Sequence, residues 1–228
     1  MDKIDLVIEN IREILELRGD NIESFIEDEK KYTASSIYAT FTSSSHVKMC
    51  SDKTCVIFAM SLDRKKQLIS ELKIKAAKKN VDTDEQVSNS STKDEYKTFI
   101  ANNDLYKNYI FVFSHNLLTS NDKHVLESFE KELEHPDIEG KFTVFNETEL
   151  YFNPIKHELV DPHRKLSKDE IKHIMKVYNI KSKQTMPVIP KSDVISRRLG
   201  LLVGDIVEIT RSNKNNGFTK TYKVCKSL

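Results

Sequence analysis

Glycine is scarce in this chain, with five residues in 228, and none falls in a Walker or dinucleotide-binding pattern. Phosphate cradles need closely spaced glycines, so nucleotide binding by the chain itself is not expected. Apolar runs are short, and none approaches the roughly 20 residues that a membrane-spanning helix requires. The three cysteines, Cys50, Cys55 and Cys225, are an odd number without disulfide-framework spacing, which points to a reducing compartment. The opening MDKIDLVIENIREILE interleaves charges with apolar residues and does not read as a signal peptide. These absences lead us to expect a soluble intracellular protein with no membrane partner and no cofactor.

What is present is charge. Asp, Glu, Lys and Arg make up 31% of the chain against 38% hydrophobic residues, a soluble globular profile. The net charge of +1 conceals an asymmetry. Residues 1–152 hold 20 basic and 28 acidic side chains, whereas residues 153–228 hold 16 basic and 7 acidic. A net of −8 facing a net of +9 suggests two modules with different partners, divided near Tyr151–Asn153. Charge alone does not decide whether the basic module meets nucleic acid or an acidic protein surface.

Along the first module, Ile4, Val7, Ile8, Ile11, Ile14 and Leu15 recur at helical spacing over residues 2–18, with Gly19 as a stop. A short second helix is expected over Ile22–Lys30, and Thr33–Ser45 reads as extended or loop. Thr54–Met60 reads as a buried strand and Leu62–Lys79 as a Lys-rich helix. Such a βα unit implies a sheet covered by helices. Val81–Asp94 is polar and unpatterned, a surface loop or disordered insertion. Tyr109–Phe113 is the clearest strand, followed by a helix from about Asp122 to Glu134 and a strand over Lys141–Asn146.

In the second module, Ser167-Lys-Asp-Glu170 is a capping box ahead of Ile171, Ile174, Met175 and Tyr178. Pro187 and Pro190 keep the next stretch extended, and Asp193 can cap a short helix closed by Gly200. Asp205–Thr210 and Phe218–Val224 read as strands of a hairpin around Asn215-Asn216-Gly217. The class expected is an α/β domain over 1–152 plus a small α+β module with a mixed sheet over 153–228.

Chemistry-bearing motifs are weak. His157-Glu158 opens like a zinc-protease helix, but position 161 is Asp, Pro162 would break the helix and His163 falls two residues late. An extended segment whose His and Glu make hydrogen bonds is the better reading. His46, Cys50 and Cys55 lack the paired knuckles of structural zinc, so no metal is expected. Asp104, Asp122 and Glu127 could in principle form a nuclease site, but acids opposite apolar stripes read as a solvated face. The corner before the helix at Asp122 is more suggestive. Thr119 and Ser120 would turn amides and hydroxyls outward, with Lys123 and His124 on the first turn, a geometry that suits DNA phosphates. An ordinary helix cap is the plainer alternative.

The segments NPIKHELVDPHRKLSKDEIKHIMKVYNIK, MPVIPKSDVISRRLGLLVGDIVEITR and NNGFTKTYKVC together resemble the assembly module of the fifth subunit of eukaryotic nuclear RNA polymerases, which has an archaeal counterpart. The resemblance rests on His157, Glu158, Leu159, Val160, Pro162 and His163, with a small rearrangement at the last pair. It continues through Pro187, Ile189, Asp193, Gly200, Gly204 and Val207, then Ile209, Arg211, Gly217 and Tyr222. Upstream, YIFVFSHNLLTSNDKHVLESFE resembles more weakly the end of that family's N-terminal jaw domain.

The resemblance implies a non-catalytic polymerase subunit within a hetero-oligomer. Residues 153–228 would anchor it on the largest subunit, and the jaw would contact the backbone of downstream duplex DNA through Thr119, Ser120 and Lys123. Catalysis would belong to the two largest subunits. Val188, Val194, Leu202 and Val203 depart from the family pattern, which suggests a diverged copy such as one encoded by a large DNA virus. Location would be the nucleus for a cellular copy, and a cytoplasmic viral factory or virion for a viral one. A standalone nuclease-like enzyme and a free DNA-binding or adaptor protein are the alternatives.

Overall fold

The structure, a computed structural model, describes residues 3–32, 37, 47–77, 106, 108–133, 140–213 and 217–227. The chain divides into two units, Met1–Tyr151 and Phe152–Leu228.

The first unit begins with helix α1 (Lys3–Leu17), whose three- and four-residue apolar spacing buries Ile4, Val7, Ile8, Ile11, Ile14 and Leu15. Helix α2 (Glu23–Glu29) adds Phe25 to the same core. The sheet contains β1 (Val47–Cys50), β2 (Thr54–Ala59), β3 (Asn108–Phe113) and β4 (Lys141–Asn146), in that spatial order. β1 runs antiparallel to β2, whereas β2, β3 and β4 are mutually parallel. Parallel neighbours require crossovers, and helices α3 (Leu62–Ala77) and α4 (Ser120–Leu133) supply them.

Strand alternation sorts the sheet's side chains onto two faces. Val56, Phe58, Ile110, Val112 and Phe145 pack with α1, while Ile57, Tyr109, Phe111, Phe113 and Phe142 pack with Leu68 of α3 and Phe129 of α4. Both faces are covered, so β2 and β3 read as continuous apolar runs rather than alternating ones. Phe111, Phe129 and Phe142 meet edge-on or stacked, with centroids 4.8 to 5.9 Å apart, which fastens α4 to the sheet.

In the second unit the sheet order is β5 (His163–Lys165), β7 (Ile206–Asn213), β8 (Gly217–Lys226), β6 (Val188–Pro190). β6 is parallel to β8 and the other pairings are antiparallel, giving a mixed sheet. Helix α5 (Lys168–Val177) sends Ile171 and Ile174 onto Ile206 and Val224. Helix α6 (Val194–Leu199) brings Leu199 to Val207, Ile209 and Cys225 on the opposite face. Gly200 ends α6 at φ 61°, in the left-handed region, and the Leu201 amide then donates back to the Ser196 carbonyl at 3.0 Å.

The hairpin outruns its neighbours. β5 reaches only to Ile209 and β6 only as far as Val188 opposite Val224. Among the described residues, the rungs Arg211–Thr219, Ser212–Phe218 and Asn213–Gly217 therefore have no third strand beside them.

Several expectations change. His157 is extended, at φ −73° and ψ 134°, but it ends a 3-10 turn over Pro154–Lys156 and starts a further turn, closed by the Val160 amide on the His157 carbonyl at 2.9 Å. Pro154, at the first position of that turn, preorganises it. Helix α4 starts at Ser120 rather than Asp122, because Thr119 is its cap. β1 and β5 add to the expected strands; both are short and of mixed polarity, so neither leaves a periodic signal in the sequence. Apart from Ile37, the stretch Thr33–Ser45 lies outside the described residues, as do His46, Val81–Asp94, Asp104, Glu134 and Asn215–Asn216.

Candidate functional site

In the first unit, the corner between β3 and α4 is built around one carboxylate. The Asp122 Oδ2 accepts from the Thr119 amide at 3.0 Å and from the Thr119 hydroxyl at 2.7 Å. The Asp122 amide in turn donates to Thr119 Oγ1 at 3.3 Å, completing a reciprocal cap of the kind that occupies orphan first-turn amides. Lys65 of α3 closes the arrangement from below. Its Nζ donates to Asp122 Oδ2 at 2.8 Å and to the Leu117 carbonyl at 2.9 Å, with both charged side chains only 8% exposed.

Burial alone would raise the Asp122 pKa, but the Lys65 and Thr119 bonds outweigh it and hold the carboxyl at about 2. The expectation that Thr119 points its amide and hydroxyl outward is therefore corrected: both turn inward to Asp122. Ser120, Lys123 and His124 are exposed. Asp122 is committed to this cap, and Glu127 lies 3.6 Å from His124 on an exposed face, so these two acids do not converge.

In the second unit, the residues singled out from the sequence fall into three groups. His157, Glu158 and Leu159 are exposed on the turn, with Leu159 at 86%, and the Leu159 amide donates to His157 Nδ1 at 3.2 Å. Val160 follows, half-buried, and Pro162 accepts from the Thr210 amide through its carbonyl at 3.0 Å. His163 opens β5, its Nδ1 against the Asp161 carbonyl.

A second group is architectural. The Pro187 carbonyl accepts from the Val224 amide at 2.8 Å, and Ile189 is buried on the α6 face. Asp193 caps α6, its Oδ1 accepting from Ile195 at 2.8 Å and Ser196 at 3.3 Å. Gly204 sits at φ +90° with its amide on the Cys225 carbonyl at 2.9 Å, and Gly217 opens β8 at φ +69°. Arg211 pairs with Asp161 at 3.4 Å on the surface.

The third group converges on Glu208, which no sequence pattern singles out. It is buried on β7, and Arg164, Lys220 and Tyr222 reach it at 3.3 Å each. Arg164 and Tyr222 are its register partners on the two neighbouring strands, so one carboxylate ties three strands together. Burial would raise the Glu208 pKa, but bonds from Lys220 and Arg164 bring it below the ordinary glutamate value. Tyr222 is pushed up to about 12, by burial first and then by the adjacent Glu208 charge. Arg164 also donates to Glu170 at 2.7 Å, linking the capping box of α5 to the same network. A fully buried Arg198 donates from Nη2 to the Phe152 carbonyl at 2.9 Å, fixing the start of the unit to α6. Only the doubled arginine before Leu199 and Gly200 hints at this in the sequence.

Comparison with known proteins places the family match in this second unit. The family model for the RNA polymerase Rpb5 C-terminal domain matches residues 152–225. A DNA-directed RNA polymerases I, II, and III subunit (rpabc1) from Dictyostelium discoideum is 37% identical over 89 residues, 38% of this chain and 45% of that protein. The DNA-directed RNA polymerase subunit Rpo5 of Methanosarcina acetivorans is 34% identical over 73 residues, which is 32% of this chain but 92% of that protein. The Rpo5 of Pyrococcus abyssi is 41% identical over 73 residues, 88% of its length. The similarity thus spans nearly all of the archaeal subunits and less than half of the Dictyostelium one.

Proposed function

Because the chain belongs to the family of RNA polymerase subunits Rpb5 and Rpo5, we propose that it is a non-catalytic subunit of a multisubunit DNA-directed RNA polymerase. One observation carries this reading: the 73 residues shared with an archaeal Rpo5 make up 92% of that protein. The second unit is thus equivalent to a whole subunit elsewhere. It anchors the chain on the largest polymerase subunit through its exposed side chains, and the first unit serves as a jaw beside downstream duplex DNA.

The surface of the second unit suits anchoring. Phe152, Leu159, Val203 and Phe218 are 56 to 86% exposed, apolar side chains that a partner surface can cover. The net charge of +9 over residues 153–228 favours an acidic face on that partner. In the jaw, Ser120 and Lys123 face solvent at the start of α4 and meet phosphates without reading sequence, as a passing duplex requires. Thr119 acts there as the residue that positions the turn. The nucleus is the place of action for a cellular copy, and a cytoplasmic factory or virion for a viral one.

Affinity purification of the tagged chain from its native source tests the proposal. Recovery of the two largest polymerase subunits in stoichiometric amount is expected. Recovery of the chain without them would overturn it.

A further inference from the structure

Cys50 and Cys55 lie on β1 and β2 of the first unit and take no part in the Thr119–Asp122 cap. They are direct register partners on the antiparallel strands β1 and β2, and their sulfur atoms lie 3.3 Å apart. The pair is not bridged by backbone hydrogen bonds: the Cys50 amide donates to Asp28 Oδ2 at 3.0 Å, while the Ser51 amide bonds the Thr54 carbonyl at 2.9 Å. Opposed residues at such positions have Cα atoms about 4.5 Å apart, at the near edge of the range a disulfide bridges. A covalent S–S bond needs about 2.05 Å, so a movement of roughly 1.2 Å closes it.

The two thiols are also unequal. Cys55 is fully buried and Cys50 half-buried at the end of an edge strand. Hydrogen bonding from Cys55 draws the Cys50 pKa below that of an ordinary thiol, against the effect of burial, and the Tyr106 hydroxyl adds to this. Cys55 is pushed up, by its bond to Cys50 and then by burial. A reachable sulfur that ionises first, backed by a protonated one, is the arrangement of an attacking and a resolving cysteine.

We propose that Cys50 and Cys55 form a redox-active dithiol site that hydrogen peroxide converts to a cross-strand disulfide. The Cys50 thiolate attacks one peroxide oxygen, the O–O bond breaks, and the hydroxide that leaves is protonated to water. The Cys50 sulfenic acid so formed is attacked by the Cys55 sulfur. The S–O bond breaks, and the departing oxygen takes the Cys55 proton and leaves as water. Two thiols lose two electrons and one peroxide becomes two waters. In the reduced state the same pair is a bidentate site for phenylarsine oxide, whose arsenic forms two As–S bonds as its As–O bond breaks and the oxygen leaves as water with the two thiol protons.

The test uses the purified full chain. After peroxide treatment, thiol titration of the denatured protein should count one thiol where the reduced protein has three, and non-reducing peptide mapping should recover a Cys50–Cys55 crosslink. Phenylarsine oxide should bind the reduced chain one to one and fail to bind the oxidised chain. Cys50→Ser and Cys55→Ser should each lose the crosslink and the arsenical, whereas Cys225→Ser keeps both. Cys55→Ser should instead accumulate a dimedone-reactive Cys50. Three thiols surviving peroxide, or a Cys50 sulfinic acid in the wild-type chain instead of the crosslink, would overturn the proposal. The mapping on the wild-type chain decides the matter even where a variant folds poorly.

Discussion

The Lys65 ammonium and the Asp122 carboxylate meet at 2.8 Å with both side chains buried, so α3 holds the first turn of α4 from the side opposite the solvent. Removing one partner leaves a charge without its counter-ion in a dry place, which typically costs about 3–5 kcal/mol. Lys65→Met should lower unfolding free energy by an amount in that range, measured by denaturant titration. Asp122→Asn should lower it less, since the amide still accepts from Thr119 and Lys65.

The same pair sets a pH dependence. The folded Asp122 carboxyl, at about 2, lies below the ordinary carboxylate value. Its contribution is therefore complete above about pH 4 and is lost as pH falls toward 2. Asp122→Asn should flatten the stability profile of the chain in that window. A variant profile that still parallels the wild type there would show that the ion pair does not carry the acid sensitivity.

Capping and the proposed DNA contact separate at the corner. Thr119→Ala should cost about 1 kcal/mol, the usual value of a lost N-cap. Ser120→Ala with Lys123→Ala should leave thermal stability unchanged while weakening photocrosslinking to downstream DNA in the assembled polymerase. One lysine on a phosphate changes the slope of log K against log salt by about 0.9, so the weakening should fade at high salt. Equal crosslinking by the double variant would move the DNA contact elsewhere.

Glu208 supplies an independent prediction for the second unit. Glu208→Gln removes the charge facing Arg164 and Lys220, and a cost of about 1.5–3 kcal/mol follows for a charge-assisted bond of this kind. The depressed folded pKa means that this stabilisation is present above the ordinary glutamate range and falls away below it. Comparing wild type and variant at pH 7 and pH 3 should show the difference shrinking with acid.

Gly204 tests the turn before β7. An added Cβ meets nothing within 4 Å, so only the backbone at φ +90° opposes a side chain there. Gly204→Val should cost about 1–2 kcal/mol from conformation alone. Gly200→Val should cost more, because Gly200 is buried as well as left-handed. Equal losses would indicate that burial at Gly200 is relieved by local movement.

The sequence discloses what is repetitive and local. The apolar spacing of α1, the YIFVF run of β3 and the Ser167–Glu170 box each determine their own backbone, and the structure has them within a residue or two. Two of the reciprocal caps show why chain-local signals differ in strength. Ser167 and Glu170 are a familiar pair, whereas Thr119 and Asp122 make the same exchange from a sequence that resembles an outward-facing corner. The difference lies in Lys65, 57 residues upstream, which turns Asp122 inward. Glu208 is illegible for a similar reason: its partners Arg164, Lys220 and Tyr222 come from two other strands, and only register brings them together. His157 takes the extended backbone read from the sequence, at the end of a turn that Pro154 starts.

The ribbon beyond Ile209 separates two demands on the second unit. Among the described residues its outer rungs add nothing to the core, and Phe218 stands 79% exposed on them. A two-stranded ribbon of this kind is marginal by itself. Substitutions there change the surface offered to a partner while Ile206, Val207 and Val224 continue to hold the fold. The hairpin tip is thus where this chain tolerates substitution without unfolding its second unit.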